Sequence, residues 1–197
     1  MSKPNEYNLT DQDLVAAVLR GDRQAFGLII KRTEGLVAQM TFKMISSPGD
    51  RKDIAQDVYL KVFKNLSGFK FKAKLSTWVG QVAYNTCLHY LEKKKLVLLE
   101  DLGQEENMPE YQIIEDSKHG TEEILIGKEL TAILQKEINQ LKPLYKTLVS
   151  LYHQEELSYA EIAEITSLPE GTVKNYIFRA RKILKDNILS KYERNEL

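Results

Sequence analysis

The sequence predicts an all-α protein in which two small helical domains are joined by a flexible acidic linker. Apolar residues recur with helical spacing along most of the 197 residues, and strand-like alternation never extends beyond a few positions. Several helix starts carry capping-box sequences. The helical pattern is interrupted in one long acidic segment, which contains Gly103, Pro109 and Gly120.

Charge is distributed unevenly although the net charge is zero. Residues 10–95 contain 15 Lys and Arg against 8 Asp and Glu, residues 96–127 contain 1 against 9, and residues 128–197 contain 11 against 10. The basic first block favours a polyanionic partner. The acidic segment would repel the same polyanion or occupy its place.

Several classes of function are excluded by composition. A single cysteine, Cys87, and three scattered histidines give neither a disulfide nor a recognisable metal-ligand spacing, so we predict no cofactor and a reducing, cytoplasmic environment. No apolar run reaches the ~20 residues that span a bilayer, which predicts no membrane insertion. The polar N-terminal stretch predicts no signal peptide.

Local start signals divide the first predicted domain, residues 10–95, into four helices. The signals are Thr10 with Asp13, Asp22 after Gly21, Asp50, and Ser76. A lysine-rich loop over residues 68–75 precedes the fourth helix, which we expect to end near residues 93–95. The acidic linker then occupies residues 96–120.

The second predicted domain, residues 121–190, ends in a helix-turn-helix. Thr121 and Pro143 mark the starts of two helices. Ser158 with Glu161, and Ser167 with Glu170, form two capping-box sequences only nine residues apart. That spacing leaves room for one short helix and a tight turn, which is the helix-turn-helix layout.

The last helix of this motif has a face suited to duplex DNA. At about 100° per residue, its buried stripe contains Val173, Ile177, Ala180 and Leu184. The opposite side places Phe178 among basic side chains with Asn175 beside it; the basic residues are Lys174, Arg181, Lys182 and Lys185. An exposed ring with an amide and cations suits thymine-methyl contact, base-edge recognition and phosphate binding. The alternative is a solvated face with a stray aromatic residue.

Two further surfaces stand out in the first domain. Leu60 falls on the polar side of the third helix, near Asp53 and Lys64. An exposed leucine with charged neighbours is typical of an anchor residue in a protein interface. The alternative is that Leu60 is a lone exposed leucine without function. In the fourth helix, Trp78 falls on the polar side after a loop that alternates aromatic residues with lysines. Stacking surfaces and cations predict a single-strand nucleic-acid site, and a core role for Trp78 is the alternative.

Four segments together carry a family resemblance. They are GDRQAF, DRKDIAQDVYLKVFKNLSGF, STWVGQVAYNTCLHYL and LSYAEIAEITSLPEGTVKNYIFRARKIL. The first three resemble region 2, and the fourth closely resembles region 4, of the extracytoplasmic-function sigma factors, the small two-domain branch of the sigma-70 family. The resemblance covers nearly the whole chain. It implies a protein that binds core RNA polymerase, recognises promoter DNA and promotes transcription initiation.

The resemblance also implies roles for individual residues. The residues that the resemblance implies for binding core polymerase are Asp53, Gln56, Asp57, Leu60 and Phe63. The −10 element, as a melted strand, falls to Lys70, Lys72, Lys74, Ser76, Trp78, Asn85 and His89. The −35 element, as a duplex, falls to Tyr159, Thr172, Lys174, Asn175, Phe178, Arg179, Arg181 and Lys182. An anti-sigma protein that covers these surfaces is a further implied partner.

Two other functions are weighed against promoter recognition. A stand-alone helix-turn-helix regulator would bind operator DNA as a dimer, without polymerase, at half-sites about one DNA turn apart. A catalytic domain acting on nucleic acid would need a ligand cluster or an acid/base pair. Asp53 and Asp57 lie one turn apart, but no His, Cys or glycine-rich loop accompanies them in the motif, so we predict no enzyme.

Overall fold

A computed structural model describes the backbone of residues 9–102 and 122–195, and the side chains of residues 9–94 and 131–190. Every regular element in these ranges is helical, which confirms the all-α prediction there, while linker residues 103–120 and the cap at Thr121 lie outside them. The helices are α1 (Asp11–Leu19), α2 (Arg23–Met44), α3 (Pro48–Asn65), a 3-10 turn (Leu66–Gly68), α4 (Leu75–Leu102), α5 (Glu122–Gln140), α6 (Pro143–His153), α7 (Tyr159–Thr166) and α8 (Glu170–Asn195).

Four of the predicted helix starts are confirmed. At α1 the Asp13 amide donates to Thr10 Oγ1 at 3.2 Å, and the Thr10 amide donates to Asp13 Oδ2 at 3.1 Å. Asp22 accepts hydrogen bonds at the start of α2, directly after Gly21, whose φ of +95° favours glycine. Pro143 occupies the first turn of α6, and Ser158 with Glu161 forms the capping box of α7.

The predicted cap of α3 at Asp50 is wrong. The helix begins at Pro48, after Ser47, because the proline ring already fixes φ near the helical value and needs no hydrogen-bond partner for its nitrogen. Asp50 therefore lies inside the first turn. Its carboxylate accepts a short hydrogen bond from the Tyr90 hydroxyl of α4, which holds the pKa of Asp50 below its usual value.

Both predicted ends of α4 are also wrong. The helix begins at Leu75, so Ser76 lies within its first turn, and the Leu75 amide donates to Asp11 Oδ2 of α1 at 2.9 Å. A side chain distant in sequence thus takes up one of the unpaired amides of the helix start. At the other end the helix continues past Lys95 to Leu102, since residues 96–102 contain good helix formers and no glycine or proline.

Ser167 ends α7 instead of starting α8. It has the left-handed conformation, with φ of 56°, and serves as the C-cap of α7. The following helix begins at Glu170, so only three residues separate the two helices. A turn this short changes the direction of the chain sharply, and a residue with left-handed backbone angles commonly makes such a turn possible at the end of a helix. Here that residue is Ser167.

We call α1–α4 the first half of the chain and α5–α8 the second half. The two halves pack directly against each other, because α7 contacts α4 and α6 contacts α2. Ile162 and Ile165 of α7 are fully buried in the same apolar cluster as the core of α1–α4. Gly80 makes the close approach possible, because a Cβ placed there would lie 3.1 Å from Ile165 Cδ1 and from Leu36 Cδ2. The core of the protein therefore extends across both halves.

A group of cations lies where α6 meets α2. Lys43 is only 4% exposed, and burial together with the charge of Lys146 lowers its pKa. Burial and the charge of Arg51 in turn lower the pKa of Lys146. Arg51 donates to the Ile45 carbonyl at 2.7 Å and stacks on Phe42, with its guanidinium carbon 4.2 Å from the ring centroid. Backbone carbonyls and an aromatic face thus offset part of the cost of these like charges.

The shared core predicts that Ile165 stabilises the whole fold. Ile165→Ala removes a fully buried side chain at the contact with Gly80 and should lower the free energy of unfolding by about 2–5 kcal/mol. Chemical denaturation followed by circular dichroism measures the change. Phe178→Ala is the control, because Phe178 is 68% exposed and its truncation should change stability by no more than about 0.5 kcal/mol. Equal losses from the two substitutions would contradict the shared core.

Candidate nucleic-acid interfaces

The loop before α4 is built around stacked aromatic rings. Phe69 is nearly buried, and its ring centroid lies 4.7 Å from that of Phe71 and 5.2 Å from that of Trp78. Phe71 has a left-handed backbone, with φ of 55°, which is uncommon for a residue with a bulky side chain. The ring contacts hold this turn in place, so the lysines between the rings project from a fixed support.

A cavity of about 310 Å³ opens between this loop and α4. Its lining combines cations, aromatic surface, an amide and one carboxylate from α7; the residues are Gly68, Phe69, Lys70, Lys72, Ala73, Thr77, Trp78, Gln81 and Glu164. An unstacked base has an apolar face and polar edges, and this lining offers a partner for each. Glu164 brings the opposite charge to the rim of the same cavity.

The predicted −10 residues fall into three places. Lys70, Lys72 and Trp78 line this first cavity. Lys74 and Ser76 border a second cavity, of about 270 Å³, between α1, α2 and the start of α4. Asn85 and His89 are exposed farther along α4 and line neither cavity, and His89 Nδ1 lies 3.5 Å from Glu92.

Lys74 is paired with a carboxylate from the other half of the chain. Its Nζ lies 2.7 Å from Glu161 Oε1, while the capping box with Ser158 holds the second oxygen of Glu161. The Lys74 hydrogen bond and the two Ser158 hydrogen bonds lower the pKa of Glu161 to about 2. Lys74, one of the predicted DNA-binding lysines, therefore forms an ion pair with the first helix of the helix-turn-helix.

The exposed face of α8 agrees with the predicted one. Val173, Ile177, Ala180 and Leu184 form the buried stripe, and Phe178 is 68% exposed on the other side. Asn175, Arg179 and Lys182 are exposed as well, whereas Thr172 is half-buried. A large ring so accessible, with an amide and cations around it, is available to the edge of a base pair.

Beside Phe178, a cluster of aromatic and basic side chains joins α6, α7 and α8. The Tyr152 and Tyr159 rings stack with centroids 4.7 Å apart, Lys174 Nζ lies 5.5 Å from the Tyr159 centroid, and Arg181 lies 5.0 Å from that of Tyr152. Arg181 also donates to His153 Nε2. Tyr152 and His153 were not predicted as site residues, because they end a separate helix and match no DNA-binding pattern.

One face of α3 is exposed although it carries large apolar side chains. Leu60 and Phe63 are both 56% exposed, and the Phe63 ring meets the edge of Phe26 at 5.1 Å between centroids. Asp53, Gln56 and Asp57 are exposed on the preceding turns. Helical spacing brings these five residues onto one face, which we call the α3 patch.

Comparison with known proteins decides the family. Residues 29–97 match the family model of Sigma-70 region 2, and residues 131–184 match that of Sigma-70, region 4. The ECF RNA polymerase sigma-E factor of Haemophilus influenzae is 33% identical over 186 residues, covering 91% of this chain and 96% of that protein. The chain belongs to the ECF sigma factors. This confirms the resemblance predicted from the motifs.

Other relatives agree with this assignment. The ECF RNA polymerase sigma factor SigW of Bacillus subtilis is 30% identical over 177 residues, which are 88% of this sigma factor and 94% of SigW. Among solved structures, CnrH in complex with the cytosolic domain of CnrY has a TM-score of 0.63 at 18% identity, covering 91% of this chain and 97% of that one. RpoE in complex with the anti-sigma factor NepR from Bartonella quintana also has a TM-score of 0.63, at 19% identity, covering 83% and 94%. These two structures share the fold.

Two features are absent from the described part of the chain. No described helix is both long and apolar enough to cross a membrane. Within the same residues, no group of three or more His, Cys, Asp or Glu side chains is placed to hold a metal ion.

The ion pair between Glu161 and Lys74 should stabilise the fold of the sigma factor down to acidic pH. Because its pKa in the folded state is lowered to about 2 from 4.5, its contribution is complete above the ordinary value and is lost as the pH falls toward about 2. Glu161→Gln keeps a capping-box residue but removes the charge. The difference in unfolding free energy between the two proteins should therefore shrink over this pH range in chemical denaturation.

The matched control for this titration is Glu164→Gln. Glu164 is an exposed carboxylate of the same helix and forms no ion pair among the described residues. This substitution should leave the acid profile of the wild-type protein nearly unchanged. An identical profile for Glu161→Gln would mean that the contact with Lys74 does not stabilise the fold.

Proposed function

We propose that the chain acts as the promoter-recognition subunit of RNA polymerase, binding core polymerase through α3 and contacting the −10 and −35 elements through its two halves. The observation that carries this proposal is the coexistence of an exposed apolar patch with two separate cationic, aromatic surfaces. The protein catalyses no reaction of its own in this role. It acts in the cytoplasm, where polymerase and promoter DNA meet.

The α3 patch has the properties of a protein-binding surface. Leu60 and Phe63 provide apolar area that water solvates poorly, and Asp53, Gln56 and Asp57 form a polar rim. Desolvated apolar anchors within such a rim commonly supply most of the binding energy of an interface. We assign core polymerase to this patch.

The first cavity is the proposed binding site for a base of the melted −10 strand. Trp78, supported by the buried ring of Phe69, supplies the stacking surface, and Lys70 and Lys72 supply charge for the adjoining phosphates. Ser76, Asn85 and His89 extend the path of the strand along α4. Lys74 joins this path either by exchanging the Glu161 carboxylate for a phosphate or by donating to a phosphate with its remaining N–H groups.

The exposed face of α8 is the proposed binding site for the −35 duplex. Phe178 and Asn175 lie where they can contact base edges in the major groove, and Thr172 lies on the preceding turns. Around them, phosphates are bound by Lys174, Arg179, Arg181 and Lys182, with Tyr159 at the start of α7. Base contacts then set the preferred sequence, and phosphate contacts set affinity and register.

An anti-sigma protein is a further proposed partner. Two solved structures of the same fold are complexes in which an anti-sigma factor or a cytosolic domain of another protein is bound. In this chain, the exposed apolar side chains of the α3 patch and Phe178 offer surfaces that such a protein could cover while blocking polymerase and DNA.

Promoter-directed transcription tests the proposed function. The chain with core polymerase should initiate at defined sites on genomic DNA, and Leu60→Asp should weaken binding to core polymerase by about tenfold or more, because it places a charge in the apolar anchor. Leu19→Asp is the matched control, since Leu19 is also 56% exposed but lies on α1. Equal binding of core polymerase by both variants would mean that the α3 patch does not bind polymerase. Tight binding of operator DNA without polymerase would instead favour a stand-alone regulator.

Base and phosphate contacts on α8 should respond differently to substitution. Phe178→Ala should change which −35 sequences the polymerase complex prefers, because it removes a proposed base contact. Lys182→Ala should weaken all sequences alike and flatten the dependence of log affinity on log salt by about one unit. Binding to a library of −35 duplexes at several salt concentrations measures both. An unchanged sequence preference for Phe178→Ala would mean that α8 is oriented differently on DNA.

A further inference from the structure

His153, the last residue of α6, accepts hydrogen bonds from the side chain of Arg181 in α8. Arg181 Nε lies 3.1 Å from His153 Nε2, and Arg181 Nη2 lies 3.0 Å from the same atom. A guanidinium group has only donors, so His153 Nε2 must be the acceptor, and the proton of the neutral ring is then on Nδ1. Partial burial and the charge of Arg181 both lower the pKa of His153, which agrees with a neutral ring.

The plane of the same guanidinium is fixed by aromatic rings. Its central carbon lies 5.0 Å from the centroid of Tyr152, which is stacked on Tyr159 at 4.7 Å with 22° between the planes. Tyr152 also meets His153 edge to face, at 4.9 Å. Rotation of the Arg181 side chain is therefore restricted by contacts from α6, supported in turn by α7.

This arrangement preserves the charge of Arg181. None of the salt bridges between described residues includes Arg181, whereas Lys174 on the same side of α8 is paired with Glu170 at 2.7 Å. The guanidinium has five N–H groups, of which His153 takes up one on Nε and one on Nη2, and Tyr152 and Tyr159 also interact with it. A phosphate would bind through the N–H groups that these neighbours leave exposed. A fixed, fully charged arginine loses less side-chain entropy on binding than a mobile one.

We propose that His153 is a positioning residue for DNA binding, which holds the Arg181 guanidinium in the orientation that contacts a backbone phosphate of the −35 duplex. The proposal rests on the proposed function of α8. Arg181 is three residues after Phe178 and so lies on the same exposed face, on the side turned toward α6. In helix-turn-helix motifs the groove is occupied by the recognition helix, and the preceding elements lie along the backbone, which makes a phosphate the expected partner there.

The test compares affinity with its salt dependence, using the full chain bound to core polymerase. The probes are a duplex carrying the −35 segment of a promoter mapped with this complex and an unrelated duplex of equal length. Arg181→Ala should weaken both and flatten the salt slope by about one unit, because a phosphate contact is lost. His153→Ala should weaken both about three- to tenfold but keep the slope, because the charge remains while its orientation is lost.

Two further variants separate positioning from simple packing. Arg181→Lys keeps the charge without the planar group and should behave as His153→Ala does. His153→Gln presents a neutral side-chain carbonyl as acceptor and should restore most of the wild-type affinity. In an Arg181→Ala background, His153→Ala should then cause no further loss, since there is no guanidinium left to orient.

Specific outcomes would overturn the proposal. A loss from His153→Ala that persists in the Arg181→Ala background, or that His153→Gln fails to restore, would mean that His153 supports only packing. If Arg181→Ala leaves affinity and salt slope unchanged while the complex still initiates transcription, Arg181 contacts no phosphate although the proposed function stands. If the wild-type complex fails to initiate at any promoter, the proposed function itself fails.

Discussion

The close packing of α7 on α4 is the constraint on which the rest of the structure depends. Glycine at position 80 favours it, because a Cβ there would lie 3.1 Å from Ile165 Cδ1 and Leu36 Cδ2, and these side chains would have to shift. The buried isoleucines of α7 then join the core of the first half. Since α7 is the first helix of the helix-turn-helix, this contact, together with that of α6 on α2, decides which surfaces of the two halves face each other.

A consequence of that packing is that each nucleic-acid surface meets groups from another part of the chain. The loop before α4 receives Glu161 and Glu164 from α7, so two carboxylates lie where phosphates are expected. The exposed face of α8 instead receives a neutral histidine and a pair of tyrosines around Arg181. Charge is thus partly neutralised at the first surface. At the second surface Lys174 is paired with Glu170, but Arg181 forms no salt bridge with a described residue and is available to a phosphate.

The sequence predicts most of the helices, because their signals are local. Capping boxes at Thr10 and Ser158, and the apolar stripe of α8, involve residues within a few positions of one another, and all are present in the structure. The errors occur where distant contacts or sterics compete with a local signal. Pro48 takes precedence over Asp50 as the start of α3, and α4 is capped by Asp11, which lies 64 residues away.

The candidate sites divide in the same way. Exposure of Leu60 and Phe178 follows from helical periodicity and was predicted from the sequence. The partners of Lys74 and Arg181 could not be predicted, because Glu161 is 87 residues from Lys74 and His153 is 28 residues from Arg181. Periodicity shows which side of a helix is exposed, but only the tertiary arrangement shows what stands opposite it.

Lys43, which is buried, and Lys146, which is half-buried, lie where α2 meets α6, and they affect how the packing of the two halves responds to ionic strength. The Lys74 side chain is 73% exposed, so dissolved ions screen its attraction to Glu161 readily. Lys43, at 4% exposure, is largely inaccessible to the same ions, and its repulsion from Lys146 persists. Added salt therefore weakens the attraction between Lys74 and Glu161 more than it weakens the repulsion between Lys43 and Lys146. In electrostatic terms, concentrated electrolyte loosens the hold of one half on the other.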